Sequence, residues 1–519
     1  MGIVNVIPSR RRAVRLTFLA QLVGYAFVMI QGIFLVPLYL HFIAVPLYGA
    51  WLASTQVVGW VTLLDPGTDE VTRQRAAYAY GKGELDQLGK LIGSGLVVNL
   101  VVALCVTAVA LLLTPALPGW FGITGPSGRQ LVVASSILAL ASGTTVVAYS
   151  AGSTLQALQC AGAYGIVLIL GNAAGVALNL GLLYAGWGLS AIPAGLLLRA
   201  LFWAAGWAGM LFWECRSRSS QPVRPTFSAH EARTLIRLSF YMLVSKFAAV
   251  LHTSSDGVLT GILLGPSQTA ILVLTGRIID AAKMLPDKIG AAIQPALSNL
   301  AGEGDCRKSL QISVRFLTIS SLVAAPLIAT IVALNHDVVR LWVGPSLYGG
   351  QALSSLLGIS SMLTLITTAA YHILFANGLI ETTSKISLLA GVVKVVLLVV
   401  LLPYVGIIAA PLAGILAILF VTGPRFLRAF TAKFGTRSEP RLRLLARVLS
   451  GPLICLVLAP FLAKVPEVST WPAVAIKGFV LLGLSSTALF ALLPTARAEA
   501  ISAFAAARGR SRAWHRGHR

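Results

Sequence analysis

Apolar stretches of roughly 18–26 residues recur along almost the whole chain, separated by short polar and basic connections. They fall at 16–40, 47–65, 88–113, 130–154, 164–186, 189–213, 236–261, 267–285, 311–334, 352–377, 385–402, 404–424, 445–463 and 472–494. A hydrocarbon core about 30 Å thick needs about 20 apolar residues of helix, and only helices or closed barrels satisfy their own backbone inside it. The pattern therefore predicts an all-α polytopic membrane protein with about 14 transmembrane helices. The eighth segment carries Arg277, Asp280 and Lys283, so it spans only if it faces protein or water instead of lipid.

A weak internal repeat organises these segments. Sliding the chain so that Gly81-Lys82-Gly83-Glu84 falls on Gly302-Glu303-Gly304-Asp305 also lays the first segment on 236–261 and the second on 267–285. The expectation is two pseudo-symmetric six-helix lobes around a central cavity, a helix 1–6 N-lobe at 1–213 and a helix 7–12 C-lobe at 236–424, related by an axis along the membrane normal. Residues 214–235 read as a cytoplasmic linker, and 425–519 as a C-terminal helix pair with a basic cytoplasmic tail. Thr68 to Lys90 reads as a short amphipathic surface helix followed by a turn.

Composition narrows the class. Of 519 residues, 57% are hydrophobic and 11% charged, a balance that a soluble domain does not reach without exposing apolar surface. The net charge is +23, and about thirty of the 40 basic residues fall on one side of the predicted topology, which places both termini in the cytoplasm. Arg10, Arg11, Arg12 and Arg15 precede the first segment, which is too long for a cleaved signal core and is read as a retained helix. The basic tail (Arg508, Arg510, Arg512, Arg516, Arg519) is expected near anionic membrane lipids; without aromatic interleaving it is not a nucleic-acid site. The five cysteines show neither disulfide-framework nor metal-ligand spacing. No phosphate-gripping glycine loop, His-Glu-x-x-His motif or nucleophile elbow occurs, so the chain is read as a transporter and not an enzyme. No cofactor or metal is implied, and energy is expected from a proton or sodium gradient, the membrane potential or the cargo's own gradient.

The informative residues are ionisable groups inside apolar spans, which cost about 2.5–3.5 kcal/mol at mid-membrane and so point to a lined cavity. They are Arg199, Lys246, His252, Asp256, Arg277, Asp280 and Lys394. Lys246 and Arg277 are candidates for an anionic head group, since Arg offers a planar fork of donors and Lys a point charge; neutralised packing, with Arg277 paired to Asp280 or Asp256, is the other reading. Arg199 and Lys394 lie near span ends, where snorkelling suffices, and Arg199 is kept as a further cavity candidate. Arg15 meets a head group at the cytoplasmic mouth or anchors the topology. Asp256, His252, Asp280 and Asp65 are candidates for coupling or gating, with Asp65 a local cap or a partner to Arg73 or Arg75. Gln21, Tyr25, Gln31, Gln56 and Trp60 are candidates for a sugar path, which needs hydrogen bonds and apolar ring contact.

Short motifs then resemble a known family. Phe34-Leu-Val-Pro-Leu-Tyr39, Leu47-Tyr-Gly-Ala-Trp-Leu52, Gly59-Trp60, Leu64-Asp65-Pro66-Gly67 and Ala79-Tyr80-Gly81-Lys82-Gly83-Glu84 resemble the polysaccharide-flippase family, in the superfamily that also holds multidrug exporters and peptidoglycan-precursor flippases. That resemblance implies a bacterial inner-membrane carrier of undecaprenyl-pyrophosphate-linked oligosaccharide repeat units for O-antigen, capsule or exopolysaccharide. It implies alternating access, with Arg15, Lys246 and Arg277 receiving the pyrophosphate, and a polysaccharide polymerase and chain-length regulator as expected partners. The alternatives are a multidrug exporter and a peptidoglycan lipid-linked precursor flippase.

Overall fold

The structure is a computed structural model that describes residues 34–158, 160–217, 223–302, 306–435, 448–454 and 466–494, with residues 32, 446 and 497 standing alone. Among the described residues every regular element is a helix, and nine helical stretches are long and apolar enough to cross a membrane. The chain is thus an all-α polytopic membrane protein. Most of the predicted spans 16–40 and 445–463 lies outside the described residues, as do Glu303, Gly304 and Asp305 of the repeat.

The chain divides into two compact units, 1–270 and 271–519. The first contains α1 (Val45–Val61), α2 (Thr68–Lys82), α3 (Leu85–Leu113), α4 (Gly125–Ala157), α5 (Ala161–Tyr184), α6 (Ala191–Ser217) and α7 (Ala229–Leu263). Its core is built on an aromatic ladder. Trp207, fully buried, stacks on Tyr164 at 4.9 Å and on Trp203 at 5.3 Å. Both indole N–H groups donate to α5 carbonyls, Trp207 to Tyr164 at 3.1 Å and Trp203 to Leu168 at 3.2 Å. Burying an indole is favourable only when its donor is satisfied, so these bonds fix how α5 and α6 meet.

α2 is an amphipathic helix followed by a turn, as its sequence predicts, with Glu70, Gln74, Tyr78 and Lys82 exposed on its outer face. Thr68, Val71, Thr72, Ala76 and Ala79 form a buried stripe at helical spacing. The stripe is made mostly of small residues, so it produces no strong hydrophobic signal although that face packs against the unit. Gly67 (φ +85°) and Gly83 (φ +76°) supply the left-handed conformations that start and stop the helix. Asp69 and Glu70 in its first turn and Lys82 in its last complement the helix dipole. The start of α7 is tied down as well. The Ser228 side chain accepts the Glu231 N–H at 3.5 Å, and the Ser228 N–H donates to Ser94 Oγ of α3 at 2.9 Å.

α8 (Pro266–Gly302) starts in the first unit and runs into the second, which continues with α9 (Cys306–Val343), α10 (Gly350–Ala376), α11 (Ile380–Val405), α12 (Ala409–Ala417), a π turn at Ile418–Thr422, α13 (Gly423–Phe434) and α14 (Trp471–Leu492). Buried Asn335 of α9 joins three helices, donating to the Thr275 carbonyl of α8 at 3.0 Å and to Ser354 Oγ of α10 at 2.9 Å. α14 docks on α9 through Lys477, whose ammonium meets Asp337 Oδ2 at 2.7 Å with side-chain exposures of 7% and 2%.

Candidate functional site

The first unit gathers charge where α1 ends. After Val61 a tight turn over Thr62–Leu64 leads into Asp65-Pro66-Gly67, and Asp65 Oδ1 accepts the Gly67 N–H at 2.9 Å, which closes the bend. The other oxygen, Oδ2, accepts from Lys246 Nζ of α7 at 3.0 Å, and the Asp65 carbonyl accepts from the same ammonium at 3.1 Å. Lys246 is still 40% exposed and Asp65 17%. Asp65 therefore pairs with Lys246, not with Arg73 or Arg75. Those arginines have nearer acids: Arg73 pairs with Glu70 one turn away and donates to Gln156 at 3.3 Å, while Arg75 reaches Glu231 at 2.7 Å.

A second carboxylate belongs to this cluster. Asp69, in the first turn of α2, is held above the usual carboxylate range, chiefly by burial and then by the Asp65 charge, with Lys246 pulling the other way. Asp69 escaped the sequence reading because an acid in the first turn of a helix is ordinary dipole complementation.

Beside this cluster α1 and α7 lie against each other along a seam of small residues. A Cβ at Gly49 would overlap the Pro266 carbonyl, and one at Gly257 would overlap the Gln56 amide. The Gln56 Oε1 accepts the Gly257 N–H at 2.9 Å. Ala53 meets Gly261, and Gly59 meets Ser254. At about 100° per residue, Lys246, Ser254, Gly257 and Gly261 share one face of α7, while His252 and Asp256 point to other sides and are half-buried. Trp60 is half-buried, and its indole nitrogen has no hydrogen-bond partner among the described residues.

The remaining candidates are dispersed. The Arg199 guanidinium lies over the Trp203 ring at 4.7 Å, a cation–π contact in the aromatic core. In the second unit Arg277 and Asp280 are both exposed. Asp280 pairs with Lys283 at 2.6 Å, and Arg277 has no ion-pair partner among the described residues. Lys394 lies mid-helix in α11 and is buried, which corrects its reading as a snorkelling residue near a span end. Arg15, Gln21, Tyr25 and Gln31 lie outside the described residues. The buried pair Asp337–Lys477 went unnoticed in the sequence, since each sits just beyond or just inside the edge of a predicted span.

Comparison with known proteins gives the arrangement its context. Residues 92–348 match a family described as "Polysaccharide biosynthesis protein". The chain is 26% identical over 198 residues to the "Probable flippase AglR" of Haloferax volcanii, a match spanning 38% of this chain and 41% of that one, less than half of its length. Its fold is similar to the inward-facing conformation of a multidrug resistance MATE family transporter of the MOP superfamily (TM-score 0.65, 15% identity, 80% of this chain and 96% of the other). It is also similar to the lipid II flippase MurJ in an inward closed conformation (TM-score 0.64, 12% identity, 92% and 98%).

Proposed function

Since the chain belongs to the superfamily of MOP transporters and polysaccharide flippases, we propose that it flips an anionic lipid-linked glycan. The cargo in this reading is an undecaprenyl-pyrophosphate-linked oligosaccharide repeat unit, moved by alternating access from the cytoplasmic to the periplasmic leaflet of a bacterial inner membrane. No bond is made or broken in the cargo. The fourteen spans, the lobes at 1–213 and 236–424, the cytoplasmic termini and the partnership with a polymerase and chain-length regulator are parts of the same proposal. The observation that carries it is the match of residues 92–348 to the polysaccharide-biosynthesis family. Lys246, partly exposed and bound to groups that an anion can replace, supports a phosphate-bearing head group. Arg277, exposed in the second unit, is proposed as a second phosphate contact.

A second reading has specific support. The likenesses that span most of both chains are to a multidrug exporter and a lipid II flippase, whereas the sequence match to AglR spans less than half of either chain. The fold therefore backs these alternatives over more of the chain than the oligosaccharide reading. One experiment separates all three. The full chain is reconstituted in proteoliposomes with a fluorescent undecaprenyl-pyrophosphate-linked oligosaccharide, with lipid II, or with a cationic dye. The oligosaccharide lipid is expected to cross, and Lys246→Gln to abolish crossing with the protein level unchanged. Transport of lipid II alone or of dye alone transfers the assignment to that class.

A further inference from the structure

Near the end of α9, beside the segment that leads into α14, three metal-ligating atoms converge. They are His336 Nδ1, Asp337 Oδ1 and Glu467 Oε1, all within 4.8 Å of one another. Each carboxylate is held by its other oxygen: Lys477 donates to Asp337 Oδ2 at 2.7 Å and Arg340 to Glu467 Oε2 at 2.8 Å. The same two cations grip the backbone on both sides of Glu467, Lys477 at the Pro466 carbonyl (3.0 Å) and Arg340 at the Val468 carbonyl (3.2 Å). Glu467 is 61% exposed, yet its position is set. Tyr348 packs edge-on against the His336 ring at 5.0 Å and orients it.

The atoms left facing one another lack donors. Asp337 Oδ1 belongs to a side chain that is 2% exposed, and it has no hydrogen-bond partner among the described residues. His336 Nδ1 stands 3.7 Å from it and 3.6 Å from Glu467 Oε1, beyond hydrogen-bond reach of either. A tetrahedral ion with ligand bonds of about 2.0–2.2 Å sets its ligand atoms about 3.4 Å apart. The observed spacings are only slightly wider, and small side-chain rotations close them.

We propose that His336, Asp337 and Glu467 form a zinc-class metal site, completed by water, that clamps the segment entering α14 to α9. One imidazole with two carboxylates suits a borderline ion such as Zn²⁺ better than Mg²⁺ or Ca²⁺, which take oxygen ligands. Lys477 and Arg340 orient the two carboxylates as outer partners do at metal centres. They also balance the charge of both acids, so the affinity is moderate. The ligands come from two distant stretches of the chain, so no motif spacing marks them. Nothing about the site depends on which cargo is carried.

The test uses the full chain without a histidine tag, stripped with EDTA and reconstituted in nanodiscs. It is titrated with Zn²⁺ against a chromophoric chelator, and with Co²⁺ by visible absorption. One equivalent of Zn²⁺ is expected to bind, and Co²⁺ to show the intense bands of a tetrahedral site. His336→Ala and Glu467→Gln are each expected to weaken binding by about a hundredfold or more, whereas His230→Ala, at the exposed start of α7, leaves it unchanged. Glu467→Gln keeps an oxygen for Arg340, so the segment stays docked while the ligand is lost. At free Zn²⁺ about a hundredfold above Kd, the thermal midpoint of the wild type is expected to rise by about 5–10 °C, and that of Glu467→Gln to stay put. Less than half an equivalent bound by the wild type overturns the site. So does binding that survives both His336→Ala and Glu467→Gln, or binding that Mg²⁺ and Ca²⁺ displace at equal concentration.

Discussion

Breaking the buried ion pair between α9 and α14 is expected to unfasten the C-terminal helix. At 2.7 Å and an effective dielectric constant near 20, the attraction between Lys477 and Asp337 is about 6 kcal/mol, most of it offset by taking both ions out of water. The pair itself adds little net stability, but removing one partner leaves the other charge buried, at about 3–5 kcal/mol. The two single variants differ. Lys477 also donates to the Pro466 carbonyl at 3.0 Å, so Asp337→Asn leaves the ammonium with a partner. Asp337 Oδ1 has no hydrogen-bond partner among the described residues and only His336 Nδ1 at 3.7 Å beside it, so Lys477→Met leaves the carboxylate without a hydrogen bond and is the costlier change. In a unit of this size each kcal/mol moves the midpoint by about 2–4 °C, which gives a loss of about 6–20 °C followed by tryptophan fluorescence in nanodiscs. The double variant Asp337→Leu with Lys477→Met replaces charge with apolar volume and is expected within about 2 kcal/mol of wild type. Single variants that each lose less than about 1 kcal/mol, or a double variant that loses the sum of the singles, refute the reasoning.

Three further outcomes follow from the first unit. Gly257→Val drives a branched side chain into the Gln56 amide and is expected to cost about 1–3 kcal/mol in thermal unfolding, partly restored by Gln56→Ala; an unchanged midpoint contradicts the close seam. Arg75→Ala is expected to cost about 1 kcal/mol, since the Glu231 contact is partly screened, and the Arg75→Glu with Glu231→Arg exchange should recover more than half of it. Asp69 titrates higher in the folded chain than in the unfolded one, so its contribution to stability is full below the unfolded value and is lost as pH rises through the folded one. Asp69→Asn should remove that slope from a stability–pH profile, and an unaltered slope counts against the burial of Asp69.

The membrane class was legible because a hydrocarbon core imposes one length and one chemistry on every span, and no other solvent rewards apolar runs so long. The intramembrane charges were legible for the same reason, as costs that demand a cause. Their partners were not. Asp65 and Lys246 stand far apart in sequence, as do Asp337 and Lys477, and only the packing of helices decides which acid reaches which base. Near neighbours in sequence misled for the same reason: Asp65 has Arg73 and Arg75 close by, yet each is claimed by a carboxylate placed better by helix geometry. α2 was legible as a short amphipathic helix, whereas the partners of its buried Ala and Thr stripe were not, because small residues pack closely without registering as hydrophobic.

The seam between α1 and α7 connects these observations to transport. In the proposed alternating-access cycle, with its lobe boundary at the 214–235 linker, α1 and α7 part, although both lie in the one compact unit 1–270. Gly49, Ala53, Gly257 and Gly261 have little side chain to interlock, so few dispersion contacts are lost when they separate. Among the described residues the polar ties across it are the Gln56–Gly257 hydrogen bond and, at the end of the seam, the Asp65–Lys246 pair. An anion that binds Lys246 competes for the Asp65–Lys246 pair, so the proposed phosphate contact is also one of the bonds that hold α7 beside the end of α1.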